Sequence, residues 1–173
     1  MESVNLIFDA QAKLGEGPVW EPNSESLYWV DILADRVYVY EPQQPFVNRS
    51  FEVGPYVSSV IPRQSGGFVL TLQNGFYTYD PMSSKLEVLA VAEADRVNNR
   101  FNDGKCDPVG RYLAGSMSMN DLPYQGTLYI LDTDYSIKPL VSGVSISNGL
   151  AWSEDGRTMY YIDTPTQQVV AYD

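Results

Sequence analysis

The chain has 173 residues, of which 44% are hydrophobic and 13% aromatic, which favours one globular domain with a packed core. It carries 11 basic and 22 acidic residues, and its net charge of -11 repels nucleic-acid backbones and anionic membrane surfaces. We therefore expect neither nucleic acid nor a membrane as a partner. The absence of histidine excludes Ser-His-Asp relays and imidazole catalysis, and it leaves carboxylates, lysine or an oxygen-bound metal for any hydrolysis.

Two features of the sequence bear on its location. No apolar run is long enough to cross a membrane, and the first five residues lack the basic start and apolar stretch of a signal peptide. The single cysteine, Cys106, cannot form an intramolecular disulfide, which agrees with a reducing compartment. The sequence predicts a soluble, cytoplasmic protein.

An internal repeat relates residues 16–41 to residues 148–173 without a gap, at an offset of 132 residues. It places Glu16 and Asn148 in equivalent positions, and equivalent positions in a ring of repeats converge on one axis. Convergent side-chain oxygens predict a cation site. Identical residues across the offset are Gly17/Gly149, Trp20/Trp152, Tyr28/Tyr160, Asp31/Asp163, Val37/Val169 and Tyr40/Tyr172.

The chain as a whole is predicted to be all-β, because short runs rich in Val, Ile, Tyr, Phe and Trp alternate with turn residues and no segment has a helical period. Strands are predicted at residues 26–31, 36–41, 46–53, 67–72, 76–80, 85–91, 111–116, 126–132, 136–141, 157–163 and 168–173, with shorter inner strands near 19–20, 60–61, 105–106 and 151–152. Units of four strands at roughly 41 to 46 residues are typical of β-propeller blades, with a solenoid or a sandwich as the alternative. All 173 residues are assigned to this single propeller domain.

Three finer expectations concern the ends of these sets. Residues 4–8 are predicted to form a further strand, and the last set lacks an outermost strand, so either a closed four-bladed ring or part of a larger propeller is possible. An open propeller would expose a sheet edge and self-associate through it. Asn74-Gly75 predicts the positive backbone angles of a tight hairpin turn, and Trp20 and Trp152 are predicted to pack in the core between blades.

Polar loops lead into three of the inner strands, and we expect them to open on the same mouth of the ring. The functional interpretation gives Glu16 and Asn148 to a cation, with Arg100 and Asn102 as donors to an oxygen-rich ligand. The alternative makes Asn148-Gly149 and Asp103-Gly104 ordinary turns and leaves Glu16 in solvent. The repeat-equivalent placement of the loops favours the functional interpretation.

The segments LGEGPVW, NNRFNDGKCDPVGRYLAGSM and ISNGLAWSEDGRTMYYIDT resemble the gluconolactonase, senescence-marker-protein (regucalcin) and luciferin-regenerating-enzyme family. The resemblance implies a six-bladed propeller that binds one divalent cation (Ca, Zn, Mn or Mg) and hydrolyses small sugar lactones. It implies Glu16 and Asn148 as metal ligands and Arg100 and Asn102 as substrate contacts. Asn120 takes the place of the family's substrate-contacting acidic residue, with Asp121 next to it.

One departure from the family concerns the reaction itself. The family's third metal ligand is an aspartate that is also the favoured general base, and it would lie beyond residue 173. The resemblance therefore implies about four blades of an incomplete propeller with weak lactonase activity, and Asp103 is a speculative substitute for the base. Two other functions stay open: a non-catalytic calcium-binding or scaffolding propeller, and a related esterase or phosphotriesterase.

Overall fold

A computed structural model of the protein describes residues 4–44 and 49–173. Within these ranges the regular structure consists of strands and one short 3-10 turn at Thr164–Thr166, and no helix is long and apolar enough to span a membrane. The strands are β1 Gly15–Glu21, β2 Ser26–Asp31, β3 Arg36–Tyr40, β4 Arg49–Glu52, β5 Ser59–Pro62, β6 Phe68–Leu72, β7 Gly75–Asp80, β8 Lys85–Val91, β9 Asn99–Cys106, β10 Tyr112–Ser118, β11 Gly126–Leu131, β12 Ile137–Val144, β13 Ser147–Trp152, β14 Met159–Asp163 and β15 Val170–Tyr172.

The strands form four antiparallel blades in chain order. Three sheets have four strands, β1 to β4, β5 to β8 and β9 to β12, and the fourth has the three strands β13 to β15. The first strand of each blade packs against the first strand of the next, from β1 to β5 to β9 to β13. The prediction of an all-β propeller is confirmed, as is the missing outermost strand in the last set. Within residues 4–44 and 49–173, β1 and β13 share no comparable contact, so the first and last blades do not pack as consecutive blades do.

Apolar side chains fill the space between consecutive blades and hold the inner strands in place. Between the second and third blades, the ring of Phe76 meets those of Phe101 and Tyr112 edge-on, with centroids 5.3 and 5.4 Å apart. All seven residues of β10 are buried, whereas the outer strands β8 and β12 are largely exposed. Burial thus falls from the inner part of a blade to its rim, as expected of blades packed around an axis.

The prediction of a strand at residues 4–8 is wrong. This segment forms no ladder, and Val4 and Leu6 are exposed. It is fixed by one ring instead: Phe8 packs edge-on against Trp29 at 5.5 Å, and Trp29 stacks on Tyr38. The strand predicted at residues 46–53 is observed as β4, which begins at Arg49, and residues 45–48 lie outside the described ranges.

The hairpin between β6 and β7 has a different turn from the one predicted. Leu72 pairs with Gly75, so the two loop residues are Gln73 and Asn74, and neither Asn74 nor Gly75 has a positive φ. Gly75 is needed for close approach, because a Cβ there would lie 2.2 Å from the carbonyl oxygen of Ala90. Asn74 does have a structural role, since its Oδ1 accepts a 2.7 Å bond from the hydroxyl of Tyr77.

The two equivalent tryptophans differ in their packing. Trp152 packs against the apolar cluster between the third and fourth blades, as predicted. Trp20 is 50% exposed, so the prediction that it packs in the core is wrong. It lies on β1 of the first blade, and in the part of the chain that the structure describes no other sheet packs against the outward face of that blade.

Candidate functional site

Two carboxylates, Asp31 fully buried and Asp163 half-buried, brace the loops that lead into the inner strands of the first and fourth blades. Asp31 ends β2 and Asp163 ends β14, and each accepts two backbone N–H bonds from the loop before the inner strand of its own blade. The donors are Lys13 and Leu14 to Asp31, at 2.8 and 3.0 Å, and Ser145 and Ile146 to Asp163, at 3.0 and 2.8 Å. The sequence repeat therefore reflects the same local structure, which sets the start of each inner strand.

The inner strands β1, β9 and β13 each have an irregular register where the sequence placed functional residues. The shift falls after Glu16 in β1, across Asn102 and Asp103 in β9, and at Gly149 in β13. Bulges of this kind turn side chains away from the regular alternation and are common beside active sites. Asp103-Gly104 and Asn148-Gly149 lie inside strands, so the part of the alternative that made them simple turns is wrong. Its other part is right, because Glu16 is exposed to solvent.

These three strands bring four of the predicted residues to one narrow pocket. Its lining includes Glu16 from β1, Asn102 and Asp103 from β9, and Asn148 from β13. The pocket is narrow between these side chains. A neighbouring cavity of about 330 Å³ shares Glu16 and Asp103 with it. The two residues of the repeat, Glu16 and Asn148, thus line the same pocket from different blades.

Two further residues of this pocket were missed by the sequence analysis. Ile32 follows the brace residue Asp31, and its N–H bonds to the carbonyl of Leu14 at 3.0 Å. Ser58 directly precedes β5, and its hydroxyl bonds to that of Thr71 at 2.8 Å. The position of Ser58 before an inner strand was the available signal, because Glu16 and Asn148 also lie at the start of an inner strand.

Hydrogen bonds orient the two asparagine side chains. The amide nitrogen of Asn148 donates to the hydroxyl of Thr164 at 3.0 Å, which leaves Oδ1 as its free acceptor. The amide nitrogen of Asn102 donates to the carbonyl of Ser147 at 2.8 Å, while its Oδ1 accepts from Arg100 at 2.9 Å. Asn102 therefore ties the third blade to the fourth beside the pocket, and only one of its N–H groups stays available for a ligand.

Charged groups near the pocket influence one another. Burial lowers the pKa of Arg100, and the nearby Glu16, Tyr56 and Asp121 act in the opposite direction. Burial raises the pKa of Asp103, against the effect of the Gly104 N–H, which bonds to its Oδ1 at 2.8 Å. Arg100 is therefore a half-buried cation flanked by carboxylates, and Asp103 holds its proton more tightly than an exposed aspartate.

Asn120 lies on the rim rather than in the pocket. It is exposed in the turn after β10, and its N–H bonds to the hydroxyl of Ser118 at 3.2 Å. Asp121 follows in a left-handed conformation with φ of 55° and is the carboxylate of this turn whose charge acts on Arg100. Asp121, next to Asn120, is thus the residue of this turn that brings a negative charge near Arg100.

The donor set of the pocket fits a hard divalent cation. Glu16 and Asp103 offer carboxylate oxygens, Asn148 an amide oxygen and Ser58 a hydroxyl, and oxygen-only sites favour calcium, magnesium or manganese. Within residues 4–44 and 49–173, no group of three or more His, Cys, Asp or Glu side chains is placed to hold a metal. A cation here would rely on the amide and on water besides the carboxylates.

Comparison with known proteins identifies the family of this chain. Residues 14–173 match the family described as SMP-30/Gluconolactonase/LRE-like region. The chain belongs to that family. Its relatives include a Bacillus subtilis protein, YvrE, whose name proposes a sugar lactone lactonase and which is 39% identical over 164 residues. Human regucalcin is 42% identical over 175 residues.

Solved structures of this family share the fold. Luciferin-regenerating enzyme superposes with a TM-score of 0.87 at 35% identity, over 94% of this chain and 56% of that one. The matches cover 95% of this chain and 56% of YvrE, and 98% of this chain and 58% of human regucalcin. The chain therefore spans a little over half the length of the family members it matches.

Proposed function

We propose that the protein is a metal-dependent hydrolase of small sugar lactones, with one divalent cation held by Glu16 and Asn148. The observation that carries this proposal is that these repeat-equivalent side chains, from blades one and four, line one oxygen-rich pocket. The family's gluconolactonase members, and the lactonase name of YvrE, support the substrate class.

The chain's own residues have distinct roles in this proposal. Glu16 and Asn148 would hold the cation, which when bound would polarise the lactone carbonyl and favour ionisation of a water. Arg100 donates hydrogen bonds to the sugar hydroxyls and to the oxygen that becomes negative, because its guanidinium is already held beside the pocket by Asn102. Asn102 contributes its remaining N–H, and Asn120 contacts the sugar from the rim.

Asp103 is the proposed proton acceptor among these residues. It lines the pocket beside Glu16 and Asn148, and burial raises its pKa, which brings the carboxylate closer to the range useful for base catalysis. Because the pocket offers few protein ligands, we expect weak cation binding and low turnover from this chain.

A lactone assay with matched variants tests the proposal. Proton release from gluconolactone would be followed above the spontaneous rate, with calcium, manganese, magnesium or zinc and with a chelator. We expect a low, metal-dependent rate that is abolished in Glu16→Gln and retained in Glu25→Gln, which removes the same charge from an exposed residue outside the pocket. Activity that is unaffected by the chelator and by Glu16→Gln would contradict the proposal.

A second candidate function is cation binding without catalysis, as a calcium-binding or scaffolding propeller. The specific observation in its favour is the composition of the pocket, which offers oxygen ligands for a cation from Glu16 and Asn148 but only Asp103 as a further carboxylate. It predicts binding of one cation and no turnover of any lactone, whereas the first candidate predicts both. Cytoplasmic location and self-association through the exposed edge strand β15 stay predictions, and size-exclusion chromatography at several concentrations would test the latter.

A further inference from the structure

Glu93 is a fully buried carboxylate that has no part in the proposed chemistry. It lies between β8 and β9, and its side chain is 0% exposed. Its Oε1 accepts bonds from the hydroxyls of Ser116 at 2.7 Å and Tyr129 at 2.9 Å. Its Oε2 accepts from the Asn99 amide at 2.9 Å and pairs with Arg96 Nε at 3.8 Å. Every side of the anion is thus satisfied, which makes it a rigid centre rather than a reactive group.

Two of these partners also hold the loop of residues 119–125, which we call the rim loop. The amide nitrogen of Asn99 and Nη1 of Arg96 both donate to the carbonyl of Gln125, at 2.9 and 2.6 Å. At the other end of the loop, the N–H of Met119 bonds to the carbonyl of Asn98 at 2.8 Å. The rim loop is therefore bonded at both ends to residues 96–99. Glu93 in turn holds Arg96 and Asn99 of that segment.

The rim loop has little that would keep its conformation without this attachment. Asp121 and Tyr124 are both left-handed, with φ of 55° and 61°, a conformation that costs free energy for residues other than glycine. Leu122 and Tyr124 are 54% and 72% exposed, so packing contributes little. Its conformation is held by the hydrogen bonds at its ends, together with the bond from the N–H of Tyr124 to the hydroxyl of Ser145 at 3.1 Å.

We propose that Glu93 is a positioning residue that fixes the rim loop relative to Arg100. Arg100 directly follows Asn99, and the charge of Asp121 in the rim loop acts on it. The carboxylate of Glu93 therefore positions both sides of the pocket entrance. Arg100 lies on one side, on β9, and Asn120 and Asp121 of the rim loop lie on the other. The consequence for sugar binding rests on the proposed function, whereas the placement of the loop does not.

Hydrogen exchange measured by mass spectrometry on the rim-loop peptide tests this placement. Glu93→Gln removes the charge that strengthens the bond from Asn99, and we expect exchange in residues 119–125 to rise about tenfold. Arg96→Gln, at a half-exposed residue, removes the second bond to Gln125 and should raise exchange in the same peptide. It serves as the informative variant if Glu93→Gln does not fold.

Tyr129→Phe is the matched control. It removes one bond to the same carboxylate but touches neither bond to the carbonyl of Gln125, so rim-loop exchange should stay within about twofold of the unaltered protein. A selective rise in Glu93→Gln and Arg96→Gln supports the proposal. An unchanged rim loop in both, or a rise spread evenly over the chain as in simple destabilisation, overturns it.

Calorimetry separates this inference from the proposed function. The probe is a cyclic polyol in which the lactone carbonyl is reduced to a methylene, titrated with calcium present. We expect Glu93→Gln to weaken polyol binding about tenfold while calcium affinity is unchanged. If the rim loop loosens as predicted but no form of the chain binds the polyol, the positioning role of Glu93 is supported and the lactonase proposal is the one that fails. If Glu93→Gln binds the polyol as tightly as the unaltered chain, the contribution of Glu93 to sugar binding is overturned.

Discussion

Asp31 and Asp163 each accept two backbone N–H bonds from the loop before the inner strand of their own blade, in blades that are separated by two others. The equivalence extends to the next residues, because Ile32 and Thr164 donate to the loop carbonyls of Leu14 and Ile146 at 3.0 and 3.1 Å. The identical aspartates thus maintain the structure. They also position the pocket residues Glu16 and Asn148. These two residues can differ in identity between the blades because their side chains take no part in this hydrogen-bonding pattern.

Replacing Asp31 by asparagine should destabilise the protein. Asp31 is 1% exposed, and an amide can accept only one of the two N–H bonds well, so we expect a loss of about 2 kcal/mol in the free energy of unfolding. Asp163→Asn should cost less, because Asp163 is only half-buried. Urea denaturation measures both, with the exposed Asp95→Asn as control. Equal stabilities for Asp31→Asn and Asp95→Asn would show that the brace is not structural.

A side chain at Gly149 should destabilise the protein, because this residue forms the bulge next to Asn148. Its φ is 30°, and a Cβ would lie 2.8 Å from Cδ1 of Ile162. Gly143 has φ of 73° and open space around it, so Gly143→Ala carries only the conformational penalty of about 1–2 kcal/mol. We expect Gly149→Ala to lose more stability than Gly143→Ala in thermal unfolding, and to weaken cation binding as well. Similar losses without an effect on the cation would contradict the role of the bulge.

Cys106 should make stability fall with pH in the alkaline range. Burial raises the pKa of its thiol from 9.0 to about 11, and Asp107 adds to this effect. As the pH rises above 9, the unfolded chain loses this proton first, so the folded state binds more protons and the free energy of unfolding declines until about pH 11.

The control for this prediction is Cys106→Ala, which lacks the thiol. The difference in unfolding free energy between the two proteins should change between pH 9 and pH 11 and be constant below pH 8. A flat difference across the alkaline range would mean that the thiol is not shielded in the folded state.

Much of the fold was predictable because strands alternate with turn residues in sequence. The predicted strands 111–116 and 157–163 correspond to β10, Tyr112–Ser118, and β14, Met159–Asp163. The repeat also predicted that Glu16 and Asn148 would approach one place, since equivalent residues of a propeller share a distance from its axis.

The details that failed depend on contacts between distant parts of the chain. Asn74-Gly75 has the composition of a turn, but the approach of the Ala90 carbonyl fixes Gly75 in a strand. The bulges in β9 and β13 were not visible, because a local Asn-Gly or Asp-Gly pair does not reveal that it is paired within a sheet. Glu93 gave no signal either, since its partners Ser116 and Tyr129 come from other strands.

Isothermal titration with calcium tests most directly whether Glu16 and Asn148 hold one cation. We expect the unaltered chain to bind one calcium per molecule weakly, and Glu16→Gln and Asn148→Ala each to reduce the affinity about tenfold or more. Glu25→Gln should bind as the unaltered chain does. If Glu16→Gln and Asn148→Ala both bind calcium with unchanged affinity, the cation is held elsewhere and the account of this pocket is wrong.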